Sequence, residues 1–140
     1  MPRLQGKIDF DGAIITVRIE LGAADEASVR AAGQPVPPPF PTMALIDIGA
    51  THTAVHPMVL DHLGAVATGR GWMNVPGQAA SRMELYDVRV TLGTHRPPVE
   101  VQVAKVVPAT PSVAVLIGRD ILKHGTLLFD GENETFSFWF

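Results

Sequence analysis

Cysteine is absent from the 140 residues, which excludes disulfides, a thiol nucleophile and thiolate metal sites. An excess of positive charge is absent too. Eleven Lys and Arg face 14 Asp and Glu, a formal charge of −3 that leaves no basic field to attract nucleic acid. No apolar run approaches the roughly 18 residues needed to cross a bilayer, and the opening MPRLQGKIDF lacks the apolar stretch of a signal peptide. The expected setting is therefore cytoplasmic, with neither nucleic acid nor membrane as a partner. What remains is an ordinary globular composition, 46% apolar and 18% charged. The chain is long enough to form one domain, 1–140, and to fold on packing without a metal or disulfide staple.

Val, Ile and Thr recur in short alternating runs broken by Gly, Pro or Asp-Gly, the pattern of strands and tight turns, so the fold class expected is all-β. In KIDFDGAIITVRIEL a hairpin turn falls at Asp11-Gly12. Beyond it Ile15, Val17, Ile19 and Leu21 share one face, and Thr16, Arg18 and Glu20 the other. Tyr86, Val88, Val90 and Leu92 form the inward face of a second strand, and Val99, Val101 and Val103 that of a third. LLFDGENETFSFWF repeats the hairpin, with its turn at Asp130-Gly131 and Phe136, Phe138 and Phe140 on one face.

One or two short helices are expected: HPMVLDHLG opens with Pro57 and stops at Gly64, and RDILKHG stops at Gly125. Residues 22–43, rich in Ala and Pro, lack periodicity and predict a long loop with a polyproline-like end, with room for a helical turn in ADEASVRAA. The proline-rich 35–41 segment is explained more simply as a stiff connector than as a ligand for another domain.

An internal repeat organises these pieces. Sliding the chain so that Val17 falls on Val88 also places Leu21-Gly22 on Leu92-Gly93, Val36-Pro37 on Val107-Pro108, and Leu45-Ile46-Asp47 on Leu116-Ile117-Gly118. Each copy is a strand, a connection and an apolar strand that runs into a glycine-containing loop. Only the first carries an acid, Asp47, and an unpaired buried carboxylate costs several kcal/mol unless other groups accommodate it. Alone, Asp47 would be read as a turn aspartate capping backbone N–H groups.

The pair ALIDIGAT at 44–51 and VAVLIGRDIL at 113–122, in this order and joined by the repeat, resembles the retropepsin-like aspartic proteases, bacterial single-lobe members included. The resemblance covers about Lys7 to Leu128 and implies a closed acid-protease-like β-barrel with pseudo-twofold halves. In such a fold the Asp loop is threaded against the strand ending at Val115-Leu116-Ile117, and Gly118 lets the two backbones approach. It implies that Asp47 is catalytic and that the protein is a homodimer. The mechanism needs two carboxylates about 3 Å apart sharing a proton, and this chain supplies one. Substrate would be a peptide or protein, held extended across Gly49, Ala50 and Thr51 beneath a flap. The candidate flap is WMNVPGQAASRMEL, Trp72 to Leu85, with Val75, Pro76 and Gly77 at or near its tip.

Two positions depart from the family pattern. Ile48 stands where Thr or Ser normally sends a hydroxyl across the dimer, which leaves a second reading open: an inactive module of the same fold used for peptide binding or dimerisation. Thr51 stands where retroviral members carry an acid that pairs with the Arg of Gly-Arg, so Arg119 needs another partner, Asp120 or a carboxylate elsewhere. His52 and His56 are four apart, but Pro57 starts the helix only after His56, and no metal or cofactor is expected. Trp72, Trp139 and the final phenylalanines are assigned to core and dimer contacts, with FSFWF as an interface edge.

Overall fold

The computed structural model describes residues 2–73, 77, 79–95 and 97–140. These residues form ten strands: β1 Arg3–Asp9, β2 Gly12–Leu21, β3 Phe40–Ile46, β4 Ala54–Val55, β5 Ala67–Met73, β6 Ser81–Leu92, β7 Val99–Lys105, β8 Val115–Ile117, β9 Thr126–Asp130 and β10 Thr135–Trp139. Six of them close a ring in the order β6, β7, β4, β8, β3, β2, and β2 pairs back onto β6. Closure removes the exposed edges that an open sheet of this size would carry. A second ribbon, β1–β10–β9, hangs from β2 through β1.

The alternating faces fall as the sequence predicts. Val17, Ile19 and Leu21 are buried on β2, and Tyr86, Val88, Val90 and Leu92 on β6, with Val103, Val115, Ile117 and Phe138 completing one continuous core. Each such side chain, fully removed from water, contributes about 1.5–3 kcal/mol. The repeat is visible in the pairing itself. Ile19 lies opposite Val90 in the antiparallel β2–β6 pair, and Leu45 lies beside Leu116 in the parallel β3–β8 pair. At both seams a residue meets its own repeat counterpart, so the sequence offset is a spatial twofold.

Among the described residues three helices occur rather than one or two: α1 Ala23–Ala31, α2 Pro57–Leu63 and α3 Arg119–Leu122. In α2, Pro57 opens the first turn, the His56 ring nitrogen accepts from Met58 N–H at 3.0 Å, and Gly64 takes the left-handed conformation at φ 67° that ends it. The face buried in the core is Val59, Leu60 and Leu63.

The full helix α1 corrects the loop expected over 22–43. None of its residues is buried, so it has no apolar stripe for periodicity to reveal. Polar ties hold it instead. Glu26 bridges Arg30 and Arg89, Asp25 accepts from Val66 N–H at 3.2 Å, and Glu100 accepts from Ala23 N–H at 2.9 Å. Hydrogen bonds from the two arginines hold the Glu26 carboxyl below its ordinary value of 4.5. A depressed folded-state value stabilises the charged form. That support is present above pH 4.5 and is lost as the pH falls below it. Amide exchange across residues 23–31, corrected for intrinsic rates, is therefore expected to accelerate as the pH falls below 4.5, whereas Glu26→Gln exchanges faster above that pH and shows a smaller step.

The C-terminal strand is likewise not the edge expected of it. β10 lies between β1 and β9, with Phe136 and Phe138 each 1% exposed. The edge is β9, where Leu128 and Phe129 remain exposed.

Candidate functional site

The site is built where β3 and β8 run out side by side. Asp47 N–H donates to Ile117 C=O at 2.9 Å, continuing the parallel ladder one step past the strand. The chain then turns tightly: Ala50 N–H donates to Asp47 C=O at 3.2 Å, and Gly49 N–H to Asp47 Oδ1 at 2.9 Å. Arg119 N–H closes the other side on Ala50 C=O at 2.9 Å. Asp47 is half-buried, and the adjacent Ile48 is 60% exposed.

Behind this loop lies a polar lock. Thr53 is fully buried; its hydroxyl donates to Asp120 Oδ1 at 2.7 Å and accepts from Gly118 N–H at 3.1 Å, while its own N–H donates to Asp120 Oδ2 at 2.9 Å. A Cβ on Gly118 would sit 2.6 Å from the His52 carbonyl carbon and 2.8 Å from Thr53 N. Backbone passes backbone there with no space for a side chain, so the glycine is required by the crossing and not by the chemistry.

The loop forms the floor of a cleft of about 310 Å³ that brings Asp47, Gly49, Ala50 and Thr51 together. Ala54, Ala104, Val106 and Leu116 supply its wall, and Trp72, Met73 and Met83 reach it from β5 and β6. β5 and β6 form the expected hairpin, with Met73 opposite Ser81. Gly77 has a left-handed φ of 78°, and no atom lies within 4 Å of where its Cβ would be. Val75 and Pro76 lie outside the described residues. Trp72 is not a core residue: it is 63% exposed, and the Arg82 guanidinium lies 5.4 Å from its ring centre.

Asp47 is the one carboxylate that lines the cleft among the described residues. The other Asp-Gly pairs are spent on turns, Asp11 accepting from the Ser112 hydroxyl and Asp130 from both nitrogens of Asn133. His52 lines the cleft, but His56 is occupied in capping α2. No cluster of three or more metal-ligating side chains occurs among the described residues. Arg119 finds neither Asp120 nor another acid. Its guanidinium donates to the Thr51 hydroxyl at 3.0 Å, while Asp120 serves Thr53.

Over 98% of this chain and 89% of the other, the backbone is similar to that of a retropepsin-like aspartic protease from Rickettsia conorii, with a TM-score of 0.57 at 12% identity. The fold is retropepsin-like. The retroviral protease-like domain of Ddi1 from Leishmania major also aligns, with a TM-score of 0.44 and 16% identity over 86% of this chain and 83% of that one. No family model and no curated protein matches the sequence. In this retropepsin-like lobe Asp47, Gly49, Ala50 and Thr51 line the cleft, and Met73 and Met83 come from the hairpin expected over Trp72 to Leu85, whereas Ala104, Val106 and Leu116 were not among the residues expected there. The available signal was strand alternation: Leu85 and Ala104 are register partners, and Met83 is two residues from Leu85, where side chains return to the same face.

Proposed function

We propose that the chain is one half of an aspartic endopeptidase, a homodimer in which Asp47 and its symmetry mate activate a water against a peptide carbonyl. The observation that carries this reading is the solitary acid of the cleft, mounted on a loop braced by β8 and the Thr53–Asp120 lock. One carboxylate of the pair acts as base toward the water, and the other, protonated, donates to the carbonyl oxygen. Two such groups about 3 Å apart cannot both ionise, and they titrate in separate macroscopic steps. No cofactor takes part. Peptide would lie extended over Gly49, Ala50 and Thr51, under the hairpin that carries Val75, Pro76 and Gly77. A twofold pair has apolar surface to cover in Ile48 and in the β9 edge at Leu128 and Phe129, and an isologous contact suits both.

Ile48 favours a second reading. Its exposed side chain offers no oxygen to hold the two acid loops coplanar, which suits a non-catalytic dimer that binds peptides. The two readings separate in one experiment: peptide cleavage from about pH 3 to 7 by wild type, Asp47→Asn and Ile48→Thr, with sedimentation at micromolar concentration. Asp47-dependent cleavage by a wild-type dimer is expected. Cleavage only after Ile48→Thr supports the inactive module, and a strict monomer sinks the shared dyad.

A further inference from the structure

The cleft has a charge pattern that the peptidase reading does not use. Two of its lining residues, Thr51 and Trp72, are each contacted by an arginine: Arg119 through a 3.0 Å hydrogen bond to the Thr51 hydroxyl, and Arg82 over the Trp72 ring. Among the described residues neither arginine has a carboxylate within 4.0 Å. Arg30 and Arg89, by contrast, share Glu26, while Arg3 on the far ribbon rests on the Trp139 ring and the Ser137 hydroxyl away from the cleft. A hydroxyl takes only one of the several N–H donors of a guanidinium, so Arg119 keeps most of its capacity for an anion. The aromatic face holds Arg82 by its π system and leaves its N–H edge available. The apolar wall of the cleft includes Ala54 and Ala104, which leave space, and Met83, which can reshape around an incoming group.

We infer that the cleft selects extended peptides in which a large apolar side chain is flanked by acidic residues. The apolar group packs against Leu116, Val106 and Met83, and the flanking carboxylates, which extend past the cleft lining, meet Arg119 beside Thr51 and Arg82 beside Trp72. This rests on the peptide-cleft reading of the same site and adds the substrate class. The competing occupant for Arg119 is a carboxylate of the second copy, which would withdraw it from substrate.

The test uses the Asp47→Asn protein, so that no peptide is consumed, and three labelled peptides with one apolar centre and Glu, Gln or Lys flanks. Fluorescence anisotropy is expected to show about three- to fivefold tighter binding of the Glu peptide than of the Gln peptide, with Lys weakest. The gap closes at high salt and in the Arg82→Gln/Arg119→Gln double variant, whose fold is checked by circular dichroism. Equal affinity for Glu and Gln flanks, a Glu preference that survives in the double variant, or no binding of any peptide overturns the inference. So does an Arg119→Gln variant that weakens the dimer while keeping the preference. Wild-type cleavage without acidic preference overturns the inference and leaves the peptidase standing. Selective binding without wild-type cleavage supports the inference and removes the peptidase.

Discussion

Asp47→Asn is expected to reduce peptide cleavage by at least about 10³-fold while the melting transition stays close to that of wild type. The substitution is isosteric, and an Asn Oδ1 can still accept the 2.9 Å hydrogen bond from Gly49 N–H that seats the side chain. What disappears is the ionisable group, and with it the base that the proposed mechanism requires. Mixing sharpens the result. If each active unit needs an acid from both copies, equal amounts of wild type and Asp47→Asn, allowed to exchange subunits, retain about one quarter of the wild-type rate and not one half. A rate that falls only in proportion to the wild-type fraction means each chain works alone, and the paired mechanism is then wrong. The assay needs only a labelled peptide and mixtures of the two proteins at constant total concentration.

Gly118→Ala is expected to destabilise the fold by about 3 kcal/mol or more. The added methyl would meet the carbonyl carbon and oxygen of His52 and the nitrogen of Thr53, all backbone atoms at 2.6 to 2.8 Å, so no side-chain rotation relieves the clash. Separating the strands to make room breaks the Gly118 N–H to Thr53 hydroxyl bond and loosens Asp120, whose carboxylate is satisfied by the same threonine. Gly131→Ala is the control. No atom lies within 4 Å of the new methyl and the residue is not among the glycines with positive φ, so its effect should stay within about 0.5 kcal/mol. Urea denaturation of the three proteins measures both values. Equal stability of Gly118→Ala and wild type would show that the crossing is looser than described.

The positions legible in the sequence were those where local chemistry forces the outcome. Val17, Ile19 and Leu21 alternate because one face of β2 is core, and Pro57 and Gly64 bracket α2 because each suits one helix end. The close backbone approach at Gly118 was readable through the family resemblance of the paired Asp47 and Gly118 motifs, and a Cβ there would indeed meet the backbone of His52 and Thr53. Helix α1 was legible only as room for a helical turn in ADEASVRAA, because its partners Arg89, Val66 and Glu100 are distant in sequence and no residue of it is buried. The Thr53–Asp120 lock was hidden for the same reason, since neither residue is unusual in its own stretch. FSFWF misled because its apolar run suggested an exposed edge, whereas β9 folds back to cover it. Arg119 was expected to find an acid, and the hydroxyl of Thr51 takes that place.

The crossing of the 47–53 loop with the segment that follows β8 also fixes an order of events. Asp47 is anchored by Ile117, Ala50 by Arg119 and Thr53 by Asp120, all contributed late in the chain. Contacts of such separation form only after both segments are available. A polypeptide still emerging from the ribosome, with residues 115–120 inside the exit tunnel, lacks these partners, so the 47–53 loop gains its hydrogen bonds only once that late segment has emerged.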